Sequence, residues 1–336
     1  MKKSKIEKLV QRKKICSLLI AVVLVSNTNL PMLALAQPDQ EQGEDKLLQK
    51  NDFIIDAKLE DQDMDEQEEK EIDKELIEES HSTTRTTVNA GSYAQLQNAI
   101  DSALPGEPTV INLTSSFNFN GTITITDGKD IIIQPNGAMG RTLTQLQNVR
   151  HFQIRKIASL TLEEGVTLDG NHLAGGVSVG SGTNFTMNGS SIVNNNSRSA
   201  GGAVNSSGHF IMNGGSISDN VGTNGGGVNN QYGNFTMNGG TISYNRGTNG
   251  GGIYTQRSIS ITEGIIYDNT ATTNGGGVYL ISSGTSTLRD VTISNNTAVR
   301  NGGGIFTSVN LTVTEGTIHD NAATSGGGIF AAPLGA

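Results

Sequence analysis

The chain has 336 residues, with 43 Gly, one Cys, no Trp, 23 basic and 32 acidic side chains, and a formal net charge of −9. A single cysteine excludes a disulfide framework, no Cys/His cluster offers a zinc site, and glycine without a Gly-X-Y triplet excludes collagen. Residues 1–36 carry 7 basic groups and 1 acidic, 37–80 carry 5 and 18, and 81–336 carry 11 and 13, so the part expected to fold has no basic stripe for nucleic acid.

Residues 1–36 read as a secretory signal. A basic start (Lys2, Lys3, Lys5, Lys8, Arg12, Lys13, Lys14) precedes an apolar run at 15–25, and Ala34-Leu35-Ala36 supplies the small-x-small site, which places cleavage after Ala36. The apolar run falls short of the roughly 20 residues a spanning helix needs, so no membrane span is expected in the mature chain. Cys16 opens that run rather than following it, so it is no lipid anchor. The expected location is secreted or cell-surface.

Residues 37–87 form an acidic linker, densest at Asp61–Glu75. Self-repulsion and few large apolar groups leave too little burial to offset chain entropy, so disorder is expected. Residues 88–108 then read as an N-terminal capping helix region. Ser92 with Gln95 makes a capping box; Tyr93, Leu96, Ile100 and Leu104 share one helix face, and Pro105 and Pro108 end it. Strands are expected at 109–113, 122–126 and 130–134.

From about 160 onward a repeat takes over. The last glycine of each Gly-Gly cluster falls at Gly176, Gly202, Gly227, Gly252, Gly277, Gly304 and Gly328, at intervals of 24–27. A second marker keeps the same period: an aliphatic residue stands three before Asn171, Asn195, Asn220, Asn245, Asn269, Asn296 and Asn321. Within one unit, 251–254, 258–262 and 265–269 each favour a short strand, and no helical window of ten residues exists. Three strands per turn, each stacked on its equivalent in the next, predict an all-β right-handed parallel β-helix solenoid over 109–336, of about 25 residues and roughly 4.8 Å per coil. Stacking assigns the seven asparagines to an inward ladder, each amide bonding its neighbours above and below. The narrow interior is expected to exclude large rings. After Phe330 the chain stops within a few residues, which reads as a fragment or an early stop, incomplete at the C-terminus.

Phe185-Thr-Met-Asn188, Phe210-Ile-Met-Asn213 and Phe235-Thr-Met-Asn238, with Gly201-Gly-Ala-Val204, resemble the Phe-x-x-Asn and Gly-Gly-Ala-aliphatic motifs of chlamydial polymorphic outer membrane protein repeats. The run 160–330 is more similar still to glycine- and asparagine-rich repeats of Gram-positive surface proteins in the pectate-lyase-like β-helix group. That resemblance implies cell-surface display, with extracellular polysaccharide or a host surface protein as partner. Later units depart from it, with Ile261-Thr-Glu-Gly264 and Val313-Thr-Glu-Gly316 in place of Phe-x-x-Asn.

Polysaccharide lyases and glycoside hydrolases share this fold, and their chemistry needs a base beside carboxylates or paired carboxylates on one face. Asp219, Asp268 and Asp320 occupy equivalent turn positions, but two coils separate each from the next, about 10 Å, and other coils hold Asn194, Tyr244 and Asn295 there. Glu263 and Glu315 are likewise turn residues two coils apart. Arg246, Arg257, Arg289 and Arg300 differ in register, as do His81, His151, His172, His209 and His319. Ser178 sits in a Gly-x-Ser-x-Gly string that belongs to a repeat strand. No catalytic residue, cofactor or metal ligand is assigned. An adhesive or structural surface protein is the expected function; a polysaccharide-degrading enzyme and an inactive remnant are the alternatives.

Overall fold

The computed structural model describes residues 85–197, 201–281 and 284–333. The leader at 1–36 and the acidic stretch up to 84 lie outside the described residues. From Thr86 the chain winds as a parallel β-solenoid, every paired strand running alongside its equivalent one coil on: Val204 beside Val228, Val228 beside Ile253, Ile253 beside Val278. The strands form a 17-stranded sheet, a 9-stranded sheet and a short 3-stranded sheet (Arg246–Asn249, Thr270–Asn274, Thr297–Ala298). At roughly 4.8 Å per strand the 9-stranded sheet is about 40 Å long. The long sheet is two rows merged by the ten-residue strands Asn184–Val193 and His209–Ser218, which bend where Gly189 and Gly215 take φ of 97° and 88°.

The expected strands at 109–113, 122–126 and 130–134 are present as Pro108–Leu113, Ile123–Ile125 and Asp130–Pro135. The winding starts earlier than the sequence suggests, because Thr86–Ala90 already pairs with Pro108–Leu113. Helix α1 (Tyr93–Ser102) lies between those two strands in the chain. Ser92 is its N-cap, its hydroxyl accepting from the Gln95 amide, and the Gln95 side chain reaches back to Gly91 N–H at 2.8 Å. Leu96, Ala99 and Ile100 face the core. Leu104 does not; it lies past the helix end and is 60% exposed.

Each coil buries its alternate residues in columns. Leu168, Ile192, Ile217, Ile242, Ile266 and Ile293 stack in one, all fully buried. The interior takes rings as well. Phe185, Phe210 and Phe235 lie one above another with centroids 5.2 and 4.9 Å apart and planes within 14°. Parallel stacking gives each ring the thickness of one coil, which is how a narrow interior holds them. In the Phe-x-x-Asn motif the phenyl is therefore inside and the asparagine outside: Asn238 donates to Asn213 and Asn213 to Asn188, each at 2.8 Å, along an exposed row.

The inward corner carries the other asparagine column. Asn195, Asn220, Asn245, Asn269 and Asn296 are buried, and each donates both its backbone N–H and its Nδ2 to the Oδ1 of the next, ending on Asn321, at 2.8–3.1 Å. From Asn220 onward Nδ2 also donates to a strand carbonyl one coil back, as Asn245 does to Ile217 at 2.9 Å. Asn171 departs from the expectation. The chain takes its left-handed turn one residue late there, at Asn171 and His172 (φ 50° and 60°), which turns Asn171 out to solvent. Gly170 fills the place instead, and the column begins at Asn195, whose Oδ1 accepts no hydrogen bond from the protein.

The two sequence markers share a period because they touch. A Cβ on Gly252, Gly277 or Gly304 would sit 3.1–3.2 Å from the side chain of Asn269, Asn296 or Asn321 on the next coil, and within 2.8 Å of the next glycine's carbonyl. Only glycine allows that approach.

Where the irregular first coils meet the repeat, Arg150 and His151 close the junction. His151 is fully buried against Phe119, its Nδ1 accepting from Gly176 N–H at 2.9 Å and its Nε2 donating to Leu143 O at 3.0 Å. That pattern fixes the neutral tautomer. Burial lowers its pKa to about 4, below the value near 6.5 of an unfolded chain. The unfolded state therefore binds the extra proton between those values, and stability is complete above about pH 6.5 and falls as pH drops toward 4, by about 3 kcal/mol in all. Urea midpoints at neutral pH and near pH 4.5 are expected to differ more for the wild type than for His151→Gln, which keeps a neutral donor and acceptor; equal differences would remove His151 from the acid sensitivity.

Candidate ligand-binding surface

Outward positions carry whatever the protein uses, because inward ones are committed to packing. On the first row of the long sheet, beside the Asn188–Asn213–Asn238 row, stand Thr186, Thr236, Ser260, Thr287 and Thr312, interrupted by Ile211. Glu163 extends the asparagine row at one end, accepting from Asn188 at 3.1 Å, and Thr262 at the other, donating to Asn238 at 3.2 Å. On the second row the outward column reads Thr167, Ser191, Ser216, Thr241, Ile265, Thr292, Thr317. The result is a face of amides and hydroxyls repeating at the coil spacing.

The 9-stranded sheet differs along its length. Its central outward column runs Gln153, Ser178, Asn205, Asn229, then Tyr254, Tyr279, Phe306, Phe330. The four rings stack 4.7–5.6 Å apart with planes within 18°. Stacking covers their faces: Tyr254 is only 6% exposed and Phe306 9%. Burial raises the Tyr279 pKa, with Tyr254 beside it adding to the shift. This column closes on itself, and Ser178 is one of its half-buried polar members, in a strand rather than a strand-to-helix elbow.

The turn after each aliphatic rung explains the recurring aspartates. Asn194, Asp219, Asp268, Asn295 and Asp320 all have φ between 51° and 59°. Asn and Asp are the side-chain-bearing residues that enter the left-handed region most readily, so the position selects them for conformation. Glu315 (φ 56°) is another turn residue of this kind. Among the described residues no group of three His, Cys, Asp or Glu side chains is placed to hold a metal ion. The histidines scatter: His209 contacts Asn234, His319 pairs with Asp320, His172 is exposed, and His81 lies outside the described residues. A cleft of about 580 Å³ beside α1, lined by Val88, Asn89, Gln95, Asn98, Ser102 and Leu104 among others, has no titratable side chain among the described residues that line it.

One member of the turn column breaks its rule. Tyr244 has φ 55°, where a large side chain costs about 1–2 kcal/mol, and it is 53% exposed. Its ring meets that of Tyr267, on the next coil, edge to face with centroids 5.3 Å apart. The Asp268 carboxylate beside the Tyr244 hydroxyl holds its proton and raises its pKa, with Tyr267 contributing. Tyr267 stands in a column whose other members are Thr144, Asp169, Val193, Ser218, Ser243, Ser294 and His319. Two residues before it on the same face, Ile265 is 45% exposed, the one apolar member of its Ser/Thr column. Three departures from column identity thus meet at one place. Tyr244→Asn, restoring the residue type of Asn194 and Asn295, is expected to leave unfolding free energy unchanged or to raise it by about 1 kcal/mol, the relieved strain set against a lost aromatic pair. A loss larger than that in urea titration would show that the ring supports the fold.

Comparison of the chain with protein-family models, with curated proteins and with solved structures finds no match.

Proposed function

We propose that this chain is an exported surface or secreted protein that binds an extracellular polysaccharide along the side of its solenoid. The observation that carries this reading is the outward amide and hydroxyl rows of the long sheet, hydrogen-bonded along Asn188, Asn213 and Asn238 and repeated once per coil. A polymer of repeating hydroxylated units meets such a face as a series of equal contacts, and many weak contacts in register give avidity without a deep pocket. The basic leader and the small-x-small site at Ala34–Ala36 support export. The scattered carboxylates and the conformational reason for the turn aspartates favour binding over turnover.

The test is native affinity electrophoresis of the full chain in gels containing hydroxyethylcellulose, glycol chitin or polygalacturonate. Saturable retardation without unsaturated or shortened products is expected. Product formation would replace binding by catalysis, and free migration in every gel would refute the reading.

A further inference from the structure

We infer that Tyr244, Tyr267 and Ile265 form a docking site for a neutral pyranose ring, with the Asp268 and Asp219 carboxylates receiving its hydroxyls. The inference rests on the polysaccharide-binding reading and names the place and the class of sugar. In a solenoid each column supplies its own baseline: what most coils carry outward is enough for the fold. Asn or Asp satisfies the left-handed turn in five coils, yet the coil between Asp219 and Asp268 holds Tyr244 there, at φ 55° and 53% exposed. Backbone strain kept at an exposed ring marks a use for the ring. Independently, Ile265 is the apolar member of a Ser/Thr column and Tyr267 the tyrosine in a mixed column of Asp169, Val193, Ser218, Ser243, Ser294 and His319, and the alternation of a strand sets them on one face about 7 Å apart.

The geometry suits a sugar. The Tyr244 ring stands edge to face against Tyr267 at 5.3 Å rather than stacked under it, which leaves a ring face free, unlike the mutually covered rings of Tyr254, Tyr279 and Phe306. A pyranose offers a face of C–H groups to an aromatic ring and a rim of hydroxyls to hydrogen-bond acceptors; an apolar body with a polar edge is what tyrosine provides on its own side. Asp219 and Asp268 are one coil to either side of Tyr244, within reach of such a rim. A cationic ligand fits less well. It would have to shed water against Ile265, and the exposed Arg246 stands two residues from Tyr244. An acidic sugar would meet the two carboxylates.

The test uses the full chain, wild type against Tyr244→Asn and Tyr267→Ser, both of which restore the column residue and so keep the fold; circular dichroism and melting confirm this for each. Binding of cellohexaose, chitohexaose, tri-galacturonate and a lysine decamer is measured by isothermal titration, with the polysaccharide gels run in parallel. At least a tenfold rise in Kd for a neutral hexamer in both variants is expected. Equal wild-type and variant affinities would overturn the site while leaving the polysaccharide reading intact. Retention of the wild type by polygalacturonate alone would overturn the neutral-sugar assignment, and lysine-decamer binding lost with Tyr244 would replace it with a cationic peptide. Absence of wild-type binding to any glycan would overturn both.

Discussion

Asn245→Leu is expected to destabilise the solenoid by about 2–6 kcal/mol, because it strands two buried backbone groups at roughly 1–3 kcal/mol each. Asn245 Oδ1 is the acceptor for both the N–H and the Nδ2 of Asn220, and its Nδ2 serves Asn269 Oδ1 and the Ile217 carbonyl. Leucine has the volume but no polar atom, so the Asn220 N–H and the Ile217 carbonyl are left facing apolar surface. The neighbouring Arg246→Ala removes an exposed charge and is expected to change stability by less than about 0.5 kcal/mol. Since the repeat coils on either side of Asn245 are held by coil-to-coil pairing with their neighbours, the damage is local. Hydrogen exchange is expected to accelerate first in the coils around 217–270, while 110–170 stays protected. Equal melting temperatures for the two variants would mean that the column contributes nothing.

Arg150→Met is the second large effect, at about 3 kcal/mol. The guanidinium donates to the carbonyls of Gly175, Gly201, Gly202 and Ala203 and to the Ser197 hydroxyl, reaching two coils ahead, with no carboxylate partner among the described residues. Desolvation pulls its pKa down to about 10, so it stays charged at neutral pH. Among the described residues, backbone dipoles and one hydroxyl balance the charge. Methionine matches the stem but leaves the Gly175, Gly201 and Gly202 carbonyls without a donor, at roughly 1–3 kcal/mol each, partly recovered by water at the solvent side. Arg150→Lys is expected to rescue only part of the loss, because one ammonium cannot present a planar fork to carbonyls on two coils. Full rescue by lysine in urea titration would show that charge alone, not the fork, closes the junction.

The repeat was legible because its two markers are physically one: the glycine exists to admit the asparagine of the next coil, so both recur together. The strand triplets followed from alternation around Ile253, Ile259 and Ile266. Asn171 shows the limit of spacing as evidence. Leu168 and Asn171 keep the interval of Ile192 and Asn195, yet a turn displaced by one residue reverses which way the side chain points. The phenyl column was hidden by the assumption that a thin interior rejects rings, an assumption that ignored parallel stacking. Arg150 and His151 have no equivalents in other coils, so no column comparison could single them out. Tyr244 was visible as an odd member of its turn column, but its partners Tyr267 and Ile265 sit in other columns. Only knowledge of which face each strand turns outward brings the three together.

The asparagine column points one way throughout, every amide giving to the residue one coil nearer the C-terminus. Each rung therefore ends in the same pair of groups as the one before it, and excising or duplicating a whole repeat would rejoin like to like with no new mismatch. Such a fold changes its reach by quanta of one winding during gene slippage, and an insertion of any other size would have to bulge outward at a corner to keep the amides in step.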